Sequence, residues 1–427
     1  MIIAFAFIFG ILLISGMPIY LTLGLVSLIM LTFFSHIPPA MVADVMFNSL
    51  GGFTLLAIPF FTMAAQFMTR GGISRYLINT INCYVGHWWG GLAIACVFAC
   101  MFFAAICGSS VATAMAMGII VVPAMLRRGY SRSFAVGVVA SSGTMGIMIP
   151  PSISLILYGI ITEQSIPRLF LGGVVPGLLE GGLYIAWIYY HSRRRGFRGE
   201  ERASLETTMK ATAKALPALS LPVIVLGGIY SGIVTVTEAA ALAAGVSVVI
   251  ALFIYRDVKF RDVLGISAES MKAAGMIMII IATASVFGHW ITHAGLPAQL
   301  VMFVKEMGLA PWAFLIFCNV LFLFLGMFLE VVSIMLITLP IMFPVLMELG
   351  IDPVHFGVMM VVNMEVALIT PPVGLNLFVL SGVAKCPLKE TIKGAFPFVV
   401  LGLIEIVLVA YIPQLVLFIP NLLLGPG

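Results

Sequence analysis

Apolar runs of about 20 residues recur from end to end of this chain, cut by Gly, Pro and short polar stretches and without the period-two alternation of strands. Between those cuts the pattern predicts helical segments near 2–34, as a pair or a broken helix, then 53–69 and 76–100. From Phe102 to Leu126 the run is split by Cys107, Gly108, Ser109 and Ser110. Each side is too short to cross a bilayer but long enough to enter and return, so 102–126 reads as a re-entrant hairpin. A helix over 134–161 is interrupted at Ser141–Thr144 and again at Pro150–Pro151, and 170–190 closes the series. After a polar stretch the order returns: a pair over 215–255, spans at 271–291 and 310–327, a hairpin near 328–347, a broken helix over 356–383 and a last span at 396–418.

The return is a repeat. Pro123, Gly129, Pro150, Pro151, Gly173 and Pro176 fall on Pro344, Gly350, Pro371, Pro372, Gly394 and Pro397 at one ungapped offset of 221 residues, and Gly24 falls on Gly245. Composition alone would match roughly a quarter of one proline over that window. The predicted organisation is therefore a first membrane repeat over 1–191, a linking stretch over 192–214 and a second repeat over 215–427. An odd number of crossings in each half would invert one against the other, and the short Gly-rich spans fix that number only to within one. Duplicated interruptions inside apolar segments are the pattern of secondary transporters whose broken helices meet at mid-membrane.

Composition settles the class. Hydrophobic residues make up 62% and charged residues 9% of the 427, with a mean hydropathy of +1.19, against about 25% charged in soluble domains. The chain reads as an all-α, multi-pass integral membrane protein in contact with the lipid bilayer. Arg193, Arg194, Arg195, Arg198, Arg202, Lys210 and Lys214 crowd the linking stretch, which the positive-inside rule places in the cytoplasm. No nucleic-acid partner is inferred from this cluster. Met1 to Phe34 lacks a basic n-region and a small-residue cleavage site, so it reads as retained spans. The six cysteines form no CxxC pair and read as packing residues. The hydrolase GxSxG, the nucleotide-binding GxxxxGK[ST] and the filter TVGYG are absent, so the chain is not read as an enzyme, an ATPase or a potassium channel.

Helix breaks inside a bilayer expose backbone groups that cost several kcal/mol each when unpaired, and they persist only where protein, water or a ligand satisfies them. The breaks therefore nominate the site. The first half offers Gly108, Ser109, Ser110 and Thr113 at the hairpin turn, with Ser141, Ser142, Gly143 and Thr144 ahead of the first Pro-Pro pair. The second offers Glu330, Ser333 and Thr338 around its hairpin, with Asn363, Glu365, Thr370, Pro371, Gly374 and Asn376 flanking the second pair. Hydroxyl and carbonyl oxygens suit a small hard cation such as sodium, and half-helix N-termini suit an anionic substrate. Small residues also let membrane helices pack closely, but their recurrence beside both proline pairs favours a site. Glu330 and Glu365 are the acidic residues adjoining breaks, while Glu180, Glu238 and Glu405 read as interface or interhelical groups. His289 and His293 have metal spacing without a third ligand.

Four segments in order resemble the large membrane subunit of tripartite ATP-independent periplasmic (TRAP) transporters. They are Gly108–Ala114, Ile149–Ser152, Gly350–Gly357 and Ile369–Leu377, and the likeness runs over essentially the whole chain. The resemblance implies an elevator-type secondary transporter of a bacterial or archaeal inner membrane, with hairpins and broken helices moving against a scaffold. It also implies two partners, a separate small four-helix membrane subunit and a periplasmic substrate-binding protein that delivers an organic anion. C4-dicarboxylate, sialic acid and other sugar acids fit that description. Sodium is the implied coupling ion, with no other cofactor. Carried onto this chain, cation sites fall at Ser109, Ser110, Ser141 to Thr144, Glu330 to Ser333, Asn363 and Thr370 to Gly374, with the substrate between the hairpin tips. The alternative is a stand-alone cation- or proton-coupled anion carrier in which Glu330 and Glu365 relay protons.

Overall fold

The computed structural model describes residues 2–34 and 40–425. All regular structure among these residues is helical. The first half contains α1 (Ile2–Ile14), α2 (Ile19–Phe34), α3 (Ala40–Ser49), α4 (Ala57–Arg70), α5 (Ile73–Val85), α6 (Gly91–Cys107), α7 (Ser110–Arg127), α8 (Arg132–Ser142), α9 (Ile153–Thr162) and α10 (Ile166–Arg195). The second contains α11 (Leu205–Tyr230), α12 (Val236–Val249), α13 (Phe260–His293), α14 (Leu296–Glu306), α15 (Pro311–Gly326), α16 (Val331–Glu348), α17 (Pro353–Leu368), α18 (Leu375–Ala384), α19 (Leu388–Tyr411) and α20 (Gln414–Leu424). Seven of the helices, α12 counted with its π-helical extension Ile250–Ile254, are long and apolar enough to cross a membrane, and α3 with Phe53–Arg70 meets the same test only as a pair bent by 63°. Gly51 and Gly52 occupy that bend, where backbone freedom is greatest.

Several predicted boundaries move. The span at 76–100 is two helices, because Gly86 and Gly90 frame a turn between α5 and α6 and Gly90 sits at φ +73°. The first hairpin accordingly starts at Gly91, and its arms run 17 and 18 residues, about 26 Å each. The second hairpin is α15 with α16. The stretch 328–347 is one continuous arm rather than a hairpin by itself, and Pro340 and Pro344 lie inside it. The last span divides at Ile412–Pro413 into α19 and α20, and α3 was not anticipated. Of the polar stretch 192–214 only 196–204 lies outside helix, since α10 runs through Arg195 and α11 begins at Leu205. Ser141–Thr144 does not interrupt the chain either: the helix tightens into a 3-10 segment, Gly143–Ile147, and breaks over Met148–Ser152.

The helix limits carry the 221-residue offset. α7 and α16 begin and end that far apart, as do Arg132–Ile147 (α8 with its 3-10 extension) and α17. Packing follows the same relation with partners exchanged: α7 lies on α18 and α8 on α19, while α16 lies on α9 and α17 on α10. Each half thus builds its hairpin against the other half's broken helix. The remaining helices pack outside this centre, α4 against α12, α2 against α13 and α5 against α11.

Close backbone approach holds the centre together. A Cβ on Gly137 of α8 would stand 2.2 Å from the carbonyl carbon of Gly394 in α19, and one on Gly394 would collide with the Ser133 carbonyl oxygen at 1.8 Å. Small residues at a helix crossing maximise van der Waals contact where lipid supplies no hydrophobic drive. Gly137→Val is therefore expected to lower the detergent-solubilised melting temperature, at an overpacking cost of about 1–3 kcal/mol or more. Gly227→Ala in α11, with open space around its Cβ, is expected to be neutral or to stabilise by about 0.5–1 kcal/mol. A thermal-shift assay on both variants checks the contrast.

Candidate functional site

Four helices begin at one small cavity. Its volume is about 100 Å³, and its wall includes Gly108, Ser109, Ser110 and Val111 from the first hairpin turn and Glu330, Val331 and Val332 from the second. Ile147, Ile153 and Ser154 come from the first broken helix, Leu368 and Leu375 from the second, and Ile277 from α13. Ser110, Ile153, Val331 and Leu375 are the first residues of α7, α9, α16 and α18. Each such terminus carries roughly half a positive charge on its free amides. No lysine, arginine or histidine lines the cavity. Ile147 and Leu368 end the preceding helical segments, so carbonyl ends border the same space.

Sequence-local features set these ends. Ser109 caps α7 through its side chain, with the Ala112 amide donating to Oγ at 3.5 Å, and Ser152 caps α9 through Leu155 N at 3.3 Å. Gly108 is left-handed at φ +60°, and a Cβ there would meet the Pro151 carbonyl oxygen at 3.0 Å. The first hairpin turn therefore rests on the first break. Gly146 and Gly143 extend that seam, since a Cβ on either would strike Ser109 O at 2.6 Å or Ala114 Cβ at 2.7 Å. On the other side Gly374, at φ +57°, donates its amide to Met327 O at 3.4 Å, which joins the second break to the second hairpin turn. Both Pro-Pro bonds are cis.

Behind the cavity's wall, on the helices whose ends form it, are buried oxygens without a protein partner. Ser141 Oγ, Ser142 Oγ, Ser333 Oγ, Asn363 Oδ1 and Asn376 Oδ1 are all of this kind, and their residues are fully buried. Asn376 spends its amide hydrogens on Ser110 Oγ at 2.7 Å and Ala140 O at 3.1 Å, stapling α18 to the first hairpin and to α8. Asn363 spends its own on Asn319 Oδ1 and Met359 O, both at 2.8 Å. In each asparagine the acceptor oxygen is left over. A buried polar atom without a partner costs about 1–3 kcal/mol, and oxygens left as acceptors are the donor set a hard cation uses.

A family model described as "Tripartite ATP-independent periplasmic transporter, DctM component" matches residues 6–415. The chain belongs to the DctM family. It is 47% identical over 400 residues to a C4-dicarboxylate TRAP transporter large permease protein of Pseudomonas aeruginosa, with 94% of each chain covered. A Vibrio cholerae protein of the same description is 43% identical over 434 residues, covering 97% of this chain and 96% of its own. Among solved structures, the Alcanivorax borkumensis YdaH transporter superposes with a TM-score of 0.64 at 15% identity, over 92% of this chain and 96% of that one, and so shares the fold.

Of the residues nominated from the sequence of this DctM-family chain, Gly108, Ser109, Ser110 and Glu330 line the cavity itself. Thr113 turns its hydroxyl back onto Ser109 O at 2.8 Å. Thr370 does the same with Val366 O at 2.6 Å, and Pro371 is exposed beside it, whereas Pro150 and Pro151 are buried. Glu365 and Thr144 form a separate polar knot. Thr144 Oγ1 lies 2.5 Å from Ser141 O and 3.1 Å from Glu180 Oε1, and Tyr184 and Glu365 adjoin Glu180. Glu405 stands near the same group, and no arginine or lysine pairs with any of the three glutamates among the described residues. Thr144 and Glu365 are repeat equivalents, as are Tyr184 and Glu405, so the knot joins matched positions of the two halves. Glu180 is thus a buried interhelical group, and Glu238 is a helix cap on Thr235.

Sequence reasoning passed over Asn319, a lone polar residue in an apolar stretch of α15. Its polarity in that run was the available signal. The Asn319–Asn363 bond ties the second hairpin's first arm to α17. A double-mutant cycle with Asn319→Leu and Asn363→Leu is expected to give a coupling of about 0.5–1.5 kcal/mol, read from the thermal stability of the four proteins. Additive losses would show that the two amides act independently.

Proposed function

We propose that this chain is the large membrane subunit of a sodium-coupled importer of organic acids. C4-dicarboxylates are the first substrate class to test, because three relatives above 40% identity carry that description over nearly their whole length. The observation that carries the reading is the convergence of four helix N-termini on a cavity without a basic side chain. Such a site meets carboxylate charge with amide dipoles and still needs compensating cations. The leftover oxygens of Ser141, Ser142, Asn376 and of Ser333, Asn363 would hold them, one group on each hairpin's side. Glu330 adds a carboxyl group to the cavity wall. Sodium entering as cargo thereby makes the cavity electrostatically fit for the anion, and the anion does the same for sodium.

In this reading the two hairpins enter and return from opposite membrane faces, the halves are inverted repeats, and α6–α10 with α15–α19 move as one body past the outer helices. The exchange of packing partners between halves supports a single interlocked body. The inverted repeats are 1–191 and 215–427, joined on the cytoplasmic side of a bacterial inner membrane. A small membrane subunit would complete the scaffold, and a periplasmic binding protein would deliver the substrate. Two sodium ions balance a dicarboxylate, so electrical drive needs a third, which gains about 2.3 kcal/mol per 100 mV.

Proteoliposomes holding this chain, its small subunit and its binding protein are expected to accumulate labelled succinate only with an inward sodium gradient. Uptake unchanged when choline replaces sodium would overturn the coupling. Ser142→Ala and Ser333→Ala should each raise the sodium concentration for half-maximal uptake by about fivefold or more, the equivalent of about 1 kcal/mol, while leaving substrate affinity of the binding protein unchanged.

A further inference from the structure

At the end of α10 remote from the central cavity, the linking segment folds back onto the turn between α5 and α6. The Gly90 amide donates to Phe197 O at 3.1 Å, and the Glu200 amide donates to Gly86 O at 2.9 Å. Gly199 seats directly on that turn: a Cβ there would come within 2.4 Å of the His87 carbonyl. These contacts hold the Arg198 guanidinium over the Trp89 ring, 5.8 Å from its centroid. Beneath lies a pocket of about 560 Å³, walled by His87, Trp88 and Trp89 on one side and by α10 on the other.

The α10 wall is Gly182, Ile185, Ala186 and Tyr189, one helical stripe at spacings of three and four. Gly182, Ala186 and Tyr189 are exposed, so the wall faces outward toward the bilayer. Gly182 leaves open space where a side chain would begin. The next position on the stripe is Arg193, about 6 Å further along the axis than Tyr189. Neither Arg193 nor Arg198 forms an ion pair among the described residues, and both are exposed. The pocket therefore has an apolar trough and an aromatic collar, and beyond its lining come two guanidinium groups without an ion-pair partner, Arg193 one turn further along α10 and Arg198 stacked over Trp89.

We propose that this pocket binds one anionic phospholipid, with an acyl chain along the trough from Gly182 to Tyr189 and its phosphate at Arg193 and Arg198. The order of chemistry along the stripe matches the order along a lipid. Tryptophan and tyrosine mark the level where tails give way to headgroups, and arginine meets phosphate through a planar fork of donors. A soluble anion would use the arginines but leave the trough unoccupied. Lipid bound here bridges the α5–α6 turn, the end of α10 and the linking segment, and so anchors the junction between the two halves. The inference depends on the chain spanning a membrane and not on the identity of the transported ion or acid.

Native mass spectrometry of the full-length protein, purified with its small subunit, tests it with phosphatidylglycerol as the probe. One phosphatidylglycerol is expected to remain bound under activation that strips phosphatidylcholine of the same acyl chains. Arg193→Gln with Arg198→Gln should reduce its retention about tenfold or more, and the paired lysine substitutions should restore part of it. Gly182→Leu, which fills the trough and keeps both arginines, should reduce retention comparably. Equal retention of phosphatidylcholine, or retention unchanged in both variants, would overturn the proposal. Displacement by millimolar inorganic phosphate would assign the arginines to a soluble anion instead, and burial of Trp88 against the small subunit without bound lipid would assign the pocket to protein. Unchanged melting temperatures in lipid-free detergent show that the variants fold.

Discussion

A helix that stops inside hydrocarbon leaves amides without partners at one end and carbonyls without partners at the other. This chain interrupts itself four times at one place, over Gly108–Ser109, Met148–Ser152, Met327–Glu330 and Ile369–Gly374. Each interruption lends structure to a neighbour: the first hairpin turn rests on the first break, and the second break donates to the second turn. The amides at the starts of α7, α9, α16 and α18 then point their partial charge at a common space. Repeating an interruption and exchanging its packing partner lets the interior tolerate four broken helices.

The amide ends and the leftover oxygens are complementary in sign, which is why the proposed cargo comes as a pair. Neutral dipoles stabilise an anion without the fixed counter-charge that an arginine would leave behind on release. Serine and asparagine oxygens treat a cation similarly. A cavity of this kind is poorly occupied by either partner alone, and that mutual dependence is the electrostatic content of coupling in the proposed reading. The polar knot of Glu180, Glu365, Thr144 and Tyr184 lies outside this arrangement and links the halves at matched positions.

Much of this was legible in the sequence because the informative residues are those that interrupt a pattern. Pro150, Pro151, Pro371 and Pro372, with Gly108 and Gly374, stand out against uniform hydrophobicity, and each lies at or beside a helix end. What resisted reading was the length of uninterrupted arms. Gly86 and Gly90 divide 76–100 although no charge marks the place, while Pro340 and Pro344 lie within α16 without ending it. Glycine and proline bend or stop a helix only where tertiary packing agrees, and apolar periodicity is weak in helices hydrophobic all round. Glu365 and Thr144 adjoin breaks in sequence but turn away from the cavity, a choice of helix face that only the fold makes. Asn319 was hidden because it lies in the middle of α15, where no break marks it, and meets Asn363 only in space.

The most direct measurement is a pair of cryo-electron microscopy maps of the complex in lipid nanodiscs, one in sodium and one in choline, each with a dicarboxylate present. The account predicts ion density beside Ser142 and Ser333 and substrate density at the four helix N-termini in sodium alone. Substrate density that is equally strong in choline, or serine hydroxyls engaged elsewhere in both maps, would contradict it.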